Sequence, residues 1–198
     1  MHRTSASRAA RLTKAVAQFP VARYLQPGRY LKMADSCAPK FSAQTLKEYE
    51  LTLARYPTRQ AALLPTLWLA MREFGWISPQ VEQYVADLMG LPPSHVRAVV
   101  SFYEMFYRKP VGRWHLAVCT NLPCRLRGAD QIVRAIRDRL NFEHGDTTPD
   151  RRFTLETVQC LASCGSAPML QLNQDVYHEN LTVESVIKLI DELAARAD

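Results

Sequence analysis

No stretch of this 198-residue chain approaches the ~20 consecutive apolar residues that a membrane-spanning helix needs. Any membrane association must therefore come through partners. Glycine is scarce and scattered: the seven glycines are never closer than 15 positions apart. That spacing leaves neither a G-x-G-x-x-G dinucleotide loop nor a phosphate-binding loop. A His-Glu-x-x-His metal motif is missing as well. A secretory signal would need an apolar core of about 7–15 residues before a small-residue cleavage site, and the chain has none. A reducing compartment is the expectation, and there clustered cysteines mean metal or redox chemistry more often than disulfides.

Acidic residues are absent from positions 1–34, which carry Arg3, Arg8, Arg11, Lys14, Arg23, Arg29 and Lys32. That segment alone contributes +7, and the remaining 18 basic and 19 acidic residues leave −1 for the rest. The overall +6 is thus a property of the N-terminus. The remainder has no electrostatic footprint for nucleic acid. Residues 1–40 read as an irregular basic tail. Two explanations stand side by side: a mitochondrial transit peptide, or Met33 as the true initiator.

Residues 41–110 read as a small helical bundle. Ser42 is positioned to cap a helix with Leu46, Tyr49 and Leu53 on one face. Leu64, Leu67, Trp68 and Met71 recur at the spacing of one apolar stripe, and Pro65 suits only the first turn of that helix. Ser78 and Pro79 then open a helix whose buried face is Val81, Tyr84, Val85, Leu88 and Met89, and Gly90 stops it. A fourth helix is expected from near Ser94 to about Ser101. Phe102, Tyr103, Phe106 and Tyr107 are expected to pack within this section or to dock a partner.

Residues 111–198 change character. Trp114, Leu116 and Val118 alternate as a strand ending at Cys119. A helix with Ala129, Ile132, Val133, Ile136 and Leu140 inward follows, then a polar loop from Asn141 to Asp150. Phe153 and Leu155 begin a second strand expected to end at Cys160. Leu170 and Leu172 mark a third strand, Val176 and Tyr177 a fourth, and Thr182 caps a last helix. The order β-α-β, β-β-α is that of a thioredoxin-like core. The fold class is therefore α+β, the bundle followed by this domain.

Four of the five cysteines form two pairs, Cys119-x4-Cys124 and Cys160-x3-Cys164, while Cys37 stands alone as a free thiol. A right-handed crossover makes the first two strands parallel, so Cys119 and Cys160 come to one rim of the sheet. The four thiolates are then expected to converge. A [2Fe–2S] cluster, whose irons each take two thiolates, suits two pairs. Zinc, or cysteines without a shared ligand, remain open on spacing alone. A Rieske centre would need two histidines, and no histidine lies in either loop. A thioredoxin-type site would need two residues between its cysteines. His95, His115 and His178 are expected to be structural or on the surface.

The runs Cys119-Thr-Asn-Leu-Pro-Cys124-Arg-Leu-Arg-Gly128, Cys160-Leu-Ala-Ser-Cys164-Gly-Ser-Ala-Pro168 and Gln171-Leu-Asn-Gln-Asp-Val-Tyr177 resemble the thioredoxin-like [2Fe–2S] subunit of respiratory complex I. That family comprises the thioredoxin-like subunit of bacterial NADH-quinone oxidoreductase and the mitochondrial flavoprotein 2 subunit. Gly75-Trp76-Ile77-Ser78, Ser101 to Phe106 and Lys109-Pro110-Val111-Gly112 are similar too, so the resemblance spans about residues 42–195. It implies one [2Fe–2S] cluster on Cys119, Cys124, Cys160 and Cys164, with FMN and NADH on a partner flavoprotein. It also implies electron transfer without bond-making chemistry. The diaphorase subunits of hydrogenases and formate dehydrogenases share the pattern, and the resemblance does not separate them. A bacterial member sits on the cytoplasmic face of the inner membrane through other subunits, and a mitochondrial one in the matrix.

Several neighbours of the cysteines have two readings. Arg125 and Arg127 either stabilise the charge of a cluster, or are simply solvated or form partner contacts. Gly128 and Gly165 are expected in tight backbone conformations or ordinary turns, and Pro168 at a position where thioredoxin-like folds often place a cis proline. Ala162 departs from the glycine that many relatives carry, and its methyl is expected to be tolerated.

Overall fold

The structure is a computed structural model that describes residues 38–142 and 147–196. Cys37, nearly all of the basic tail and residues 143–146 of the polar loop lie outside the described residues. Four helices come first: α1 (Ala43–Leu53), α2 (Leu63–Phe74), α3 (Pro79–Met89) and α4 (Pro93–Phe102), with a 3-10 turn at Gln60–Ala62 leading into α2. Local chemistry sets their ends. The Ser42 and Ser78 hydroxyls accept from the Thr45 and Val81 N–H groups, each satisfying a donor that the first turn leaves without a partner. Gly75 and Gly90 close α2 and α3 at φ 84° and 62°, the left-handed region open to a residue without Cβ.

These helices share one core that includes Leu63, Leu67, Ile77, Val81, Val85 and Met89. On α1 Tyr49 is buried and Leu53 packs against the core as expected, while Leu46 is exposed and Thr45 is buried, its hydroxyl donating to Glu73 of α2 at 2.6 Å. The aromatic set divides: Phe106 and Tyr107 are buried, Tyr103 packs against the core, and Phe102 is 76% exposed.

The second half runs β1 (Trp114–Cys119), α5 (Leu122–Leu126), α6 (Ala129–Leu140), β2 (Phe153–Val158), β3 (Leu170–Leu172), β4 (Val176–His178) and α7 (Val183–Ala195). The sheet order is β2-β1-β3-β4. The β1–β2 pair is parallel from Trp114↔Phe153 to Cys119↔Val158, and β3 and β4 pair antiparallel. Leu116, Val118, Leu155 and Leu170 pack with Ile132, Ile136, Val186 and Ile190 of α6 and α7.

Two details differ from expectation. The strand β2 ends at Val158, two residues before Cys160, after its carbonyl accepts from the Thr120 N–H at 3.0 Å. The short helix α5, capped by Asn121, had no signal in the sequence, since five residues are too few to show a period. Among the described residues no helix is long and apolar enough to cross a membrane.

Candidate metal centre

The parallel pairing of β1 with β2 brings both cysteine segments to one end of the sheet. Cys119 is the last residue of β1, and its N–H donates to the Met169 carbonyl at 3.2 Å. Cys124 lies on α5. Both are almost fully buried, with Ala129, Ala167 and Met169 around them. Their thiols touch through a hydrogen bond. Burial first, and then the Cys119 thiol, push the Cys124 thiol up to about 11, with Cys164 adding to the rise. The Met169 N–H opposes this by donating to the sulfur.

The second pair is set differently. Cys160 and Cys164 are exposed in the loop after β2, and all four cysteines are free. The Ala162 N–H donates to Cys160 Sγ at 3.3 Å, and Cys164 opens a 3-10 turn, Cys164–Ser166. Among the described residues, no three Cys, His, Asp or Glu side chains stand close enough to hold one metal ion. Convergence of four thiols on one point is therefore not seen there. A mononuclear zinc site needs four ligands around a single ion, whereas a two-iron cluster takes two thiols at each iron.

The donor set fits such a cluster. Two buried thiols in contact cannot both ionise without a nearby cation, and coordination to a metal supplies that positive charge and deprotonates them. Backbone N–H groups already point at sulfur in each pair, at Cys124 and Cys160.

Ala162 has φ +62°, in the left-handed region that a residue without Cβ enters at less cost. Gly128 has φ +99°, whereas an added Cβ at Gly165 would meet nothing within 4 Å. The Ala167–Pro168 peptide is cis. Arg125 stands 3.7 Å from Asp130, with both side chains more than half exposed, and Arg127 is exposed. His115 is buried on β1 with its Nε2 2.9 Å from Glu156.

Sequence reasoning had no reason to connect Ser163 and Ser166 with Glu179. The structure puts both hydroxyls on one oxygen of that carboxylate. The only trace in the sequence is a serine on each side of Cys164.

Comparison with known proteins gives one consistent result. Residues 49–194 match the family model of the thioredoxin-like [2Fe–2S] ferredoxin. The chain is 43% identical over 156 residues to the mitochondrial NADH dehydrogenase [ubiquinone] flavoprotein 2 of Dictyostelium discoideum, covering 77% of this chain and 63% of that protein. It is 38% identical over 155 residues to the E subunit of NADH-quinone oxidoreductase from Rickettsia typhi, covering 77% of this chain and 91% of that protein. In three dimensions it superposes on an NAD+-reducing [NiFe]-hydrogenase with a TM-score of 0.60 at 21% identity, over 72% of this chain and 24% of the other. That last likeness is one of fold alone. With both cysteine pairs at one sheet end and these relatives in sequence, the chain belongs to the thioredoxin-like [2Fe–2S] ferredoxin family, which includes the E subunits of NADH-quinone oxidoreductases.

Proposed function

We propose that Cys119, Cys124, Cys160 and Cys164 hold one [2Fe–2S] cluster, and that the protein exchanges single electrons with the FMN of a partner flavoprotein in an NADH-oxidising complex. The observation that carries this is the pairing of a buried thiol couple with an exposed one at the same sheet end, in a chain of the [2Fe–2S] ferredoxin family. When bound, the cluster supplies reversible one-electron oxidation and reduction. The chain's own residues do the rest. The buried pair and the loop pair would hold the cluster, and the N–H groups of Met169 and Ala162, which donate to sulfur, would steady its negative charge.

No residue of this chain is given a bond-making role. NADH and FMN belong on the partner, consistent with scattered glycines that form no nucleotide loop. In this reading residues 1–40 are a basic tail, 41–110 a helical domain and 111–198 the cluster domain. The protein works as a peripheral subunit, at the cytoplasmic face in a bacterium or in the matrix of a mitochondrion.

The test is made on protein purified without oxygen. Iron, acid-labile sulfide and zinc are assayed, and an EPR spectrum is taken after dithionite reduction. Two irons and two sulfides per chain are expected, with a spin-one-half signal that Cys160→Ala abolishes. One zinc per chain without that signal would replace this reading with a zinc-stabilised binding module. Equilibrium dialysis of the isolated chain against NADH should show no stoichiometric binding; saturation at one per chain would overturn the assignment of NADH to the partner.

A further inference from the structure

The two cysteine pairs are held by different means. Cys119 and Cys124 sit in a packed apolar pocket. The loop that carries Cys160 and Cys164 has little packing: both thiols are exposed and only Leu161 leans on that core. At Gly165, even an added Cβ would contact nothing. Polar ties must therefore set the position of this loop.

Those ties run to one place. The Ser163 hydroxyl donates to Glu179 Oε1, and the Ser166 hydroxyl donates to the same oxygen at 2.6 Å. The two hydroxyl oxygens are 2.7 Å apart. Backbone bonds flank them: the Asn180 N–H donates to the Ser166 carbonyl at 2.7 Å, and the Leu181 N–H to the Pro168 carbonyl at 2.9 Å. An oxygen that takes two hydroxyl donors acts as a pure acceptor, the behaviour of an ionised carboxylate. Accordingly the hydrogen bonds from Ser163 and Ser166 hold the Glu179 carboxyl below the usual carboxylate range. Such charge-assisted bonds are stronger than neutral ones.

We propose that Glu179 is a positioning residue for the cluster: its carboxylate ties Ser163 and Ser166, which flank Cys164, to the end of β4, and its fixed charge beside that loop lowers the reduction potential. The proposal rests on the cluster reading above. Negative charge near an iron–sulfur centre disfavours the added electron, so neutralising it raises the potential.

The full-length protein, loaded with cluster, is compared with Glu179→Ala, Glu179→Asp, Glu179→Gln and a Ser163→Ala/Ser166→Ala double variant. Cluster loss is followed by the visible absorbance in excess bathophenanthroline disulfonate, and the midpoint potential by EPR-monitored titration. Loss of an outer-shell partner typically costs about 10- to 100-fold in metal affinity, and a cluster loss faster by a factor in that range is expected for Glu179→Ala and the double serine variant. Glu179→Asp should restore most of the retention. Glu179→Gln should raise the potential. Melting of the cluster-free Glu179→Ala protein should match wild type. An unchanged loss rate in Glu179→Ala, an unchanged potential in Glu179→Gln, or an equally destabilised cluster-free fold would each overturn the proposal alone. A wild type that assembles no cluster would overturn the cluster reading, and this proposal with it.

Discussion

Ala162 carries a methyl group at φ +62°, and its N–H donates to Cys160 Sγ. A side chain in the left-handed region costs roughly 1–2 kcal/mol. Glycine would remove that cost and give back about 0.4–1 kcal/mol through the greater freedom of its unfolded chain. Ala162→Gly is therefore expected to stabilise the cluster-free protein by up to about 1.6 kcal/mol. The urea midpoint should rise at constant slope; a fall would mean that the methyl is in a useful contact. His178 offers a second test at this scale. Burial on β4 depresses its pKa below the ordinary 6.5, and its Nε2 has no hydrogen-bond partner among the described residues. A base whose folded pKa is lowered contributes stability that is complete above its unfolded pKa and is lost as pH falls through the folded value. Between pH 7 and pH 5 the wild type should thus lose stability relative to His178→Leu, while above pH 7 the difference between them should stay constant. Thermal melts at several pH values check this, and parallel curves over the whole range would refute it.

At the level of elements, the sheet end that carries the thiols depends on how β1 is started and aligned. A Cβ at Gly112 would lie 2.8 Å from the Phe153 backbone N and C atoms. The Gly112 N–H also donates to Thr154 Oγ1 at 2.7 Å. Close approach of two strands, rather than an unusual turn, requires glycine here. Gly112→Ala should force the β1 and β2 starts apart and cost about 1–3 kcal/mol. Denaturant unfolding measures that cost, and an unchanged midpoint would show that the strands can shift freely. At the other edge of β1, Asn173 accepts from the His115 N–H at 2.7 Å and donates to the Arg113 carbonyl at 3.1 Å. Its side chain continues the pairing of β1 with β3 beyond the ladder. The helix α7 is fixed at its start by a capping box between Thr182 and Ser185. Thr182→Ala should lower stability by about 1 kcal/mol, read from the melting temperature.

Over the whole molecule, the helices and the sheet meet through a few specific contacts. The Tyr107 ring lies 4.7 Å from that of His115, and its carbonyl accepts from the Ile77 N–H at 2.7 Å. The Gln174 amide, in the turn between β3 and β4, donates to the Met105 carbonyl at 2.7 Å. Truncating Tyr107 to alanine removes the ring from this joint and should cost about 3 kcal/mol. Hydrogen exchange should show protection falling in β1 as well as in α2 and α3. Loss confined to the helices would mean that the joint does not couple the two parts.

The amino-acid sequence by itself determined most of the elements and a candidate donor set. The period of apolar residues located α2, α3, α6 and α7, serine and threonine caps located helix starts, and alternation located β1. Two cysteine pairs with no histidine beside them limited the metal chemistry before any fold was known. Local signals are legible because each depends on residues within one or two turns. Tertiary structure alone decided the rest. Burial of Cys119 and Cys124 against exposure of Cys160 and Cys164 follows from how α5 packs under the sheet end, and five residues carry no period. Burial of Thr45 on α1 comes with a bond to Glu73, 28 positions away. Glu179 reaches Ser163 and Ser166 only because β3 and β4 fold back beside the cysteine loop. An exposed glutamate in a turn looks like any other until the chain returns and gives it two hydroxyls to hold.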